Sequence, residues 1–167
     1  SSSVVVAIVQ TNLKRLLAYS SIAHAGYLLL AIAAMPAQYG AAIDGLLLYL
    51  LIYSLMTIGA FGVVIVAEGK GENLSLSDVA GFAARYPWIG GAMAIFMVSL
   101  AGIPPTAGFF GKFYVFKAAI DAGEIGLAII GVLASVVSVY YYLRVVYYMY
   151  MRPETAERKA FISGFVV

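Results

Sequence analysis

Residues 16–35 run for 20 positions without an Asp, Glu, Lys or Arg, and a helix of that length rises about 30 Å, the thickness of bilayer hydrocarbon. Residues 43–67 repeat the pattern with only Asp44 near their start, and residues 126–150 repeat it with only Arg144 inside. In lipid every backbone N–H and C=O must be satisfied within the protein, so such segments cross as helices. The expected fold class is all-α: a polytopic transmembrane helix bundle.

The rest of the sequence agrees. Hydrophobic residues make up 63% of the chain and charged residues 11%, with a mean hydropathy of +0.97. A soluble domain carries about 25% charged residues, so this chain cannot cover a water-facing surface. Its net charge of +2 and the lack of basic patches with interleaved aromatics exclude nucleic acid as a partner. The lipid bilayer is the expected surrounding. With no cysteine and one histidine, disulfides, thiolate metal sites and haem are not expected here, and any redox cofactor belongs to another polypeptide. No catalytic Ser/His/Asp or paired-carboxylate arrangement is evident. Gly108 to Lys112 superficially resembles a phosphate loop, but Phe113 stands where Ser or Thr should bind Mg²⁺.

Polar punctuation divides the chain as one membrane domain over 1–167. Residues 1–9 form a partial apolar helix and 161–167 begin a further one, so both ends read as cuts through a longer protein. Gln10, Thr11, Asn12, Lys14 and Arg15 precede the first full crossing, 16–35. A short turn over 36–44 leads to the second, 43–67, in which Gly59 and Gly62 permit close helix contact. Residues 68–87 form a loop in which Ser75-Leu76-Ser77-Asp78 resembles a capping box. Leu76, Val79, Phe82, Ala83 and Tyr86 come next at helical spacing, which predicts a short amphipathic helix at the membrane surface. The last full crossing, 126–150, ends in tyrosines that suit an interfacial belt.

Residues 88–122 are too long to be one straight crossing, at about 50 Å. Gly102-Ile103-Pro104-Pro105 lies near their middle. The prolines supply no N–H, so the carbonyls of Leu100 and Ala101 lose their helical donors, and Ile103 is pushed away from the α region. Unpaired backbone at this depth needs protein or a wet cavity around it, a device of ion-transporting proteins. Gly102, Pro104 and Pro105 therefore mark a broken helix.

With crossings alternating sides, Lys14, Arg15, Lys70, Arg85, Arg152, Arg158 and Lys159 share one face, toward which Arg144 can snorkel. Asp44, Asp121 and Glu124 fall on the other. The positive-inside rule makes the basic face cytoplasmic.

Lys112 lies about two turns beyond the break, inside the hydrocarbon, where a lysine costs roughly 2.5–3.5 kcal/mol. A lysine able to shed its proton there is a candidate proton carrier; the alternative is a lysine that snorkels to the interface. His24, mid-crossing, has two readings, a proton relay or a histidine bonded to a neighbouring helix. Lys14 and Arg15 read as interfacial anchors. Lys117, Tyr142 and Tyr53 are candidates to line a path or order water.

Three of these segments together resemble a known family. Residues 10–27, Gln10-Thr11-Asn12-Leu13-Lys14-Arg15 through His24-Ala25-Gly26-Tyr27, are similar to a signature of the antiporter-like subunits of respiratory complex I. Residues 99–114, with Gly102-Ile103-Pro104-Pro105 and Gly111-Lys112-Phe113, resemble their broken helix. Residues 135–144, ending Tyr140-Tyr141-Tyr142-Leu143-Arg144, resemble subunit N among them. The resemblance spans essentially the whole chain. It implies the second repeat of an antiporter-like inverted-repeat fold and redox-driven proton translocation. Lys112 matches the broken-helix lysine on the outward half of the proton path, and His24 a histidine linked to the central axis. The preceding repeat, with its glutamate–lysine pair, is not in this sequence, so this half is not expected to pump alone. NADH, FMN, iron–sulfur clusters and quinone would be bound in or near other subunits, the other membrane-arm subunits would be partners, and a bacterial inner membrane would be the location. Two alternatives stand: a subunit of a multisubunit cation/proton antiporter or membrane-bound hydrogenase, and a structural membrane module without transport.

Overall fold

The computed structural model describes residues 2–68 and 74–153. Lys70, Arg158, Lys159 and the expected helix start at 161–167 lie outside the described residues. The helices are α1 (Ser2–Val9), α2 (Leu13–Glu68), α3 (Phe82–Arg85), α4 (Pro87–Ala101), α5 (Ala107–Asp121) and α6 (Ile125–Met151).

Asn12 starts α2, its Oδ1 accepting the Arg15 N–H at 3.1 Å, which satisfies one of the donors a helix N-terminus leaves open. Helix α2 spans 56 residues, far too many for one crossing, and it doubles back. His24 meets Tyr49 and Tyr53, and Lys14 meets Glu68. The reversal corrects the turn expected over 36–44: the non-helical backbone is Gln38 alone (φ −136°, ψ 54°). Pro36, lacking an N–H, weakens the helix just before it, and small residues on both sides (Ala34, Ala42) let the two arms close together.

Helices α4 and α5 line the second arm of α2 as one interrupted path. Gly59 faces Phe96 of α4, while Gly111 and the Tyr114–Val115 backbone of α5 face Tyr49 and Gly45. Helix α6 runs along the first arm, with Gly131 near Leu30 and Tyr142 near His24. Outward-facing residues such as Leu29, Leu47, Ile58, Ile95 and Leu133 are large, apolar and exposed, the inverse of a water-soluble surface.

The segment after Glu68 differs from a surface amphipathic helix. Ser75 and Asp78 do form a capping box: the Ser75 N–H donates to Asp78 Oδ2 at 2.8 Å and the Asp78 N–H to Ser75 Oγ at 3.3 Å. The box opens only a 3₁₀ turn, Ser77–Val79, because Gly81 turns left-handed (φ 71°) before α3. Leu74, Leu76, Val79, Phe82 and Ala83 are buried, and the Gly81 N–H donates to Tyr148 O of α6 at 3.3 Å. Reciprocal bonds, Leu13 N–H to Leu74 O (2.9 Å) and Leu76 N–H to Thr11 O (2.6 Å), tie the segment to the start of α2.

Two further expectations change. Glu68, placed in the loop by its polarity, ends α2 and is buried, and it pairs at 2.5 Å with Lys14, which is therefore more than a membrane anchor. Arg144 does not snorkel free: its Nη1 donates to Ile8 O (2.8 Å) and Gln10 O (3.3 Å), capping the carbonyls at the end of α1.

Candidate functional site

The site grows out of the helix break. Gly102 ends α4 in a left-handed turn (φ 78°), its N–H on Ser99 O at 3.0 Å and the next N–H on Val98 O at 3.3 Å. These bonds cap Val98 and Ser99. Pro104 and Pro105 stand where the donors for Leu100 and Ala101 would be, so those two carbonyls end α4 without backbone partners. Thr106 restarts the helix, and α5 begins pressed against the end of α4. A Cβ on Gly108 would lie 1.7 Å from Ser99 O, and the Gly108 N–H donates to Ser99 Oγ at 3.1 Å.

That close approach returns Lys112, in the second turn of α5, to the open end of α4. It is 4% exposed. Its Nζ donates to Leu100 O at 3.0 Å, to Ala101 O at 3.1 Å and to Ser135 Oγ of α6 at 3.1 Å, so an ammonium has an acceptor for each N–H. The face of Tyr27 lies 5.1 Å from it, within cation–π range. A helix C-terminus carries about half a negative charge, and among the described residues no carboxylate pairs with Lys112. Gly102 also makes room, since a Cβ there would sit 2.9 Å from Lys112 Cδ.

His24 lies in the middle of the first arm of α2, 2% exposed. Nδ1 bonds the Tyr49 hydroxyl and Nε2 the Tyr142 hydroxyl, the latter at 2.7 Å. Tyr53 stacks on the ring at 4.7 Å and Tyr27 meets it edge-on at 5.6 Å. Both ring nitrogens thus face groups that can donate or accept, as a relay needs. A cavity of about 10 Å³ lies between His24, Tyr49, Ser99 and Lys112, close to the minimum for one water.

The structure thus brings Lys112, His24, Tyr53, Tyr142 and the Gly102–Pro104–Pro105 break into one region. Lys117 is set apart: it is exposed and paired with Asp121 at 2.6 Å. It does share with Lys112 a groove of about 580 Å³ between α5 and α6, whose wall includes Phe113, Val132 and Ser135. Sequence reasoning missed Ser135, Tyr27 and Tyr49. A signal existed for the first: Ser135 and Ser138, one helical turn apart inside an apolar span, form a polar stripe that lipid would disfavour.

At the level of other proteins, the model of the NADH:quinone oxidoreductase/Mrp antiporter transmembrane family matches residues 3–138. The chain is 54% identical over 149 residues to NADH-quinone oxidoreductase subunit N of Trichlorobacter lovleyi, covering 89% of this chain and 30% of that one. It is 51% identical over 159 residues to subunit N of Rhodospirillum rubrum, covering 95% and 32%. The chain therefore spans about a third of the length of these relatives. Among solved structures it is similar to a chain of respiratory complex I from Thermus thermophilus, with TM-score 0.79, 37% identity and coverage of 99% and 39%. It is also similar to a chain of the Mrp complex from Dietzia sp. DQ12-45-1b, with TM-score 0.79, 26% identity and coverage of 92% and 28%.

Proposed function

The chain belongs to the NADH:quinone oxidoreductase/Mrp antiporter transmembrane family, and from that premise we propose that it carries protons within the membrane arm of a proton-pumping NADH:quinone oxidoreductase. It is an integral membrane protein. On this reading it acts as part of a subunit N, beside other membrane-arm subunits, with the basic ends of its helices in the cytoplasm of a bacterium. NADH, FMN, iron–sulfur clusters and quinone serve the electron transfer in other subunits.

The observation that carries the reading is the buried Lys112 Nζ, bonded to the two carbonyls that the Pro104–Pro105 break leaves open. Here a positive charge is held by dipoles and a hydroxyl, with no fixed anion among the described residues locking it in place. Releasing the proton leaves no buried carboxylate unpaired, so the site tolerates both protonation states. His24, between two tyrosine hydroxyls and beside the same small cavity, is the partner for exchange. Electron transfer elsewhere changes the proton affinity of these groups in turn, and Lys112 accepts a proton from the His24 side and releases it outward. The groove shared by Lys112 and Lys117 is the candidate outward path.

The test is Lys112→Ala in the intact parent complex in sealed vesicles. Electron transfer is expected to persist while proton translocation falls. Undiminished translocation at a normal electron-transfer rate would leave only a structural module. The likeness to the Mrp complex chain supports a second reading, a cation/proton antiporter subunit. Co-purification of the chain with NADH-oxidising subunits separates the two.

A further inference from the structure

Lys112 and His24 sit against the same face of α6. Ser135, Ser138 and Tyr142 succeed one another there at spacings of three and four residues, which stacks them along one side of a helix. The two ends of this stripe are bonded to the two titratable groups: Ser135 Oγ to Lys112 Nζ at 3.1 Å, and the Tyr142 hydroxyl to His24 Nε2 at 2.7 Å. Between them lie the hydroxyls of Tyr27 and Tyr141, fully shielded from solvent and without a hydrogen-bond partner among the described residues. Ser135 and Ser138 are polar neighbours of the Tyr27 hydroxyl, and Ser138 and Tyr142 of the Tyr141 hydroxyl. Two unpartnered buried hydroxyls are costly, and here they fall between the two bonded ends of the stripe, where Ser138 Oγ donates to Ser135 O at 2.6 Å.

We propose that this stripe is a proton relay joining His24 to Lys112, closed by a water held on the Tyr27 and Tyr141 hydroxyls, with Ser135 as the residue that positions and reverses the last bond. The proposal rests on the carrier reading of Lys112. Of the three acceptors around Nζ, the carbonyls of Leu100 and Ala101 can only accept, whereas the Ser135 hydroxyl can also donate. A neutral amine keeps two N–H groups for the carbonyls and turns its lone pair to Ser135. When a proton moves, the His24 Nε2–H bond breaks as an O–H bond forms on Tyr142. Tyr142 passes its own proton to the water held on Tyr27 and Tyr141, and the water passes one of its protons to Ser135. The original Ser135 proton forms the third N–H bond on Lys112. Every oxygen ends with the protons it began with, an imidazolium becomes an imidazole, and an amine becomes an ammonium whose third N–H points at Ser135. The 3.1 Å separation of Lys112 Nζ and Ser135 Oγ accommodates the bond in either direction.

The experiment uses the intact parent complex in sealed vesicles and measures protons translocated per NADH oxidised, with Lys112→Ala as the reference. Ser135→Ala is expected to lower translocation roughly tenfold, the worth of one hydrogen bond to the lysine, and Ser135→Thr, which keeps the hydroxyl, to restore it. Tyr27→Phe and Tyr141→Phe, which keep the rings and their packing, are each expected to slow translocation and reduce its solvent deuterium isotope effect. Normal translocation in Ser135→Ala and both Phe variants, with Lys112→Ala impaired, would overturn the relay and leave the carrier reading standing. Normal translocation in Lys112→Ala itself would overturn both.

Discussion

The Nζ of Lys112 lies 3.0 Å from the carbonyl oxygen of Leu100, the carbonyl that Pro104 deprives of its helical donor. Ala101, deprived in the same way by Pro105, is the second partner at 3.1 Å. The break and the lysine therefore satisfy each other: the side chain replaces two backbone N–H groups, and the helix end supplies partial negative charge to a buried cation. Arg144 repeats the arrangement at the end of α1, on Ile8 O and Gln10 O. The difference is the head group, since a guanidinium holds its proton and a lysine can release it.

Replacing Pro104 and Pro105 together by alanine returns two N–H donors to α4. Leu100 and Ala101 can then bond within the helix, and Lys112 loses two acceptors. Proton translocation by the assembled complex is expected to fall about tenfold while NADH oxidation continues, a change equal to the loss of about 1.4 kcal/mol. Parallel measurement of both rates in vesicles checks it.

Gly102→Ala places a side chain at φ 78° and 2.9 Å from Lys112 Cδ. The left-handed backbone alone costs roughly 1–2 kcal/mol. Gly102→Asn relieves part of that strain and none of the crowding. A lower Tm for alanine than for asparagine, with both impaired in translocation, is the expected pattern in thermal unfolding and pumping assays.

Gly108→Ala is predicted to be the most damaging glycine-to-alanine change among the described residues. Its Cβ would lie 1.7 Å from Ser99 O, a backbone atom that no rotamer change can move. Forcing α4 and α5 apart is expected to exceed the usual overpacking cost of about 1–3 kcal/mol. Immunoblotting of membranes for the assembled subunit is the measurement, and near-complete loss is the expected outcome.

Lys14→Ala leaves the Glu68 carboxylate buried, with the Leu74 N–H at 3.4 Å as a remaining donor. Glu68→Gln removes the charge and is expected to cost less. Because the Lys14 side chain is 42% exposed, solvent screening limits the pair itself to about 1 kcal/mol. A double-mutant cycle on the Tm of the complex reads both quantities.

Much of this architecture is legible in residue order. Apolar run lengths specify the all-α membrane class, and the absence of an N–H on proline names Leu100 and Ala101 as open carbonyls. Both statements depend only on local covalent structure. The illegible part depends on which helix faces which. Ser135 becomes a partner of Lys112 only because α6 packs across α5, and Tyr49 reaches His24 only because α2 folds back at Gln38. Glu68 reads as loop polarity because its partner Lys14 is 54 positions away in sequence. The turn over 36–44 is narrower than its residues suggest, because a proline and small residues can reverse a helix with one non-helical residue.

Lys112→Arg distinguishes a proton carrier from a fixed positive charge. Arginine keeps the charge and can reach the same carbonyls, yet it does not deprotonate in a protein. In the intact complex, protons translocated per NADH are expected to drop to the level of Lys112→Ala, with assembly preserved. A Lys112→Arg complex that translocates as the parent does would contradict the carrier role.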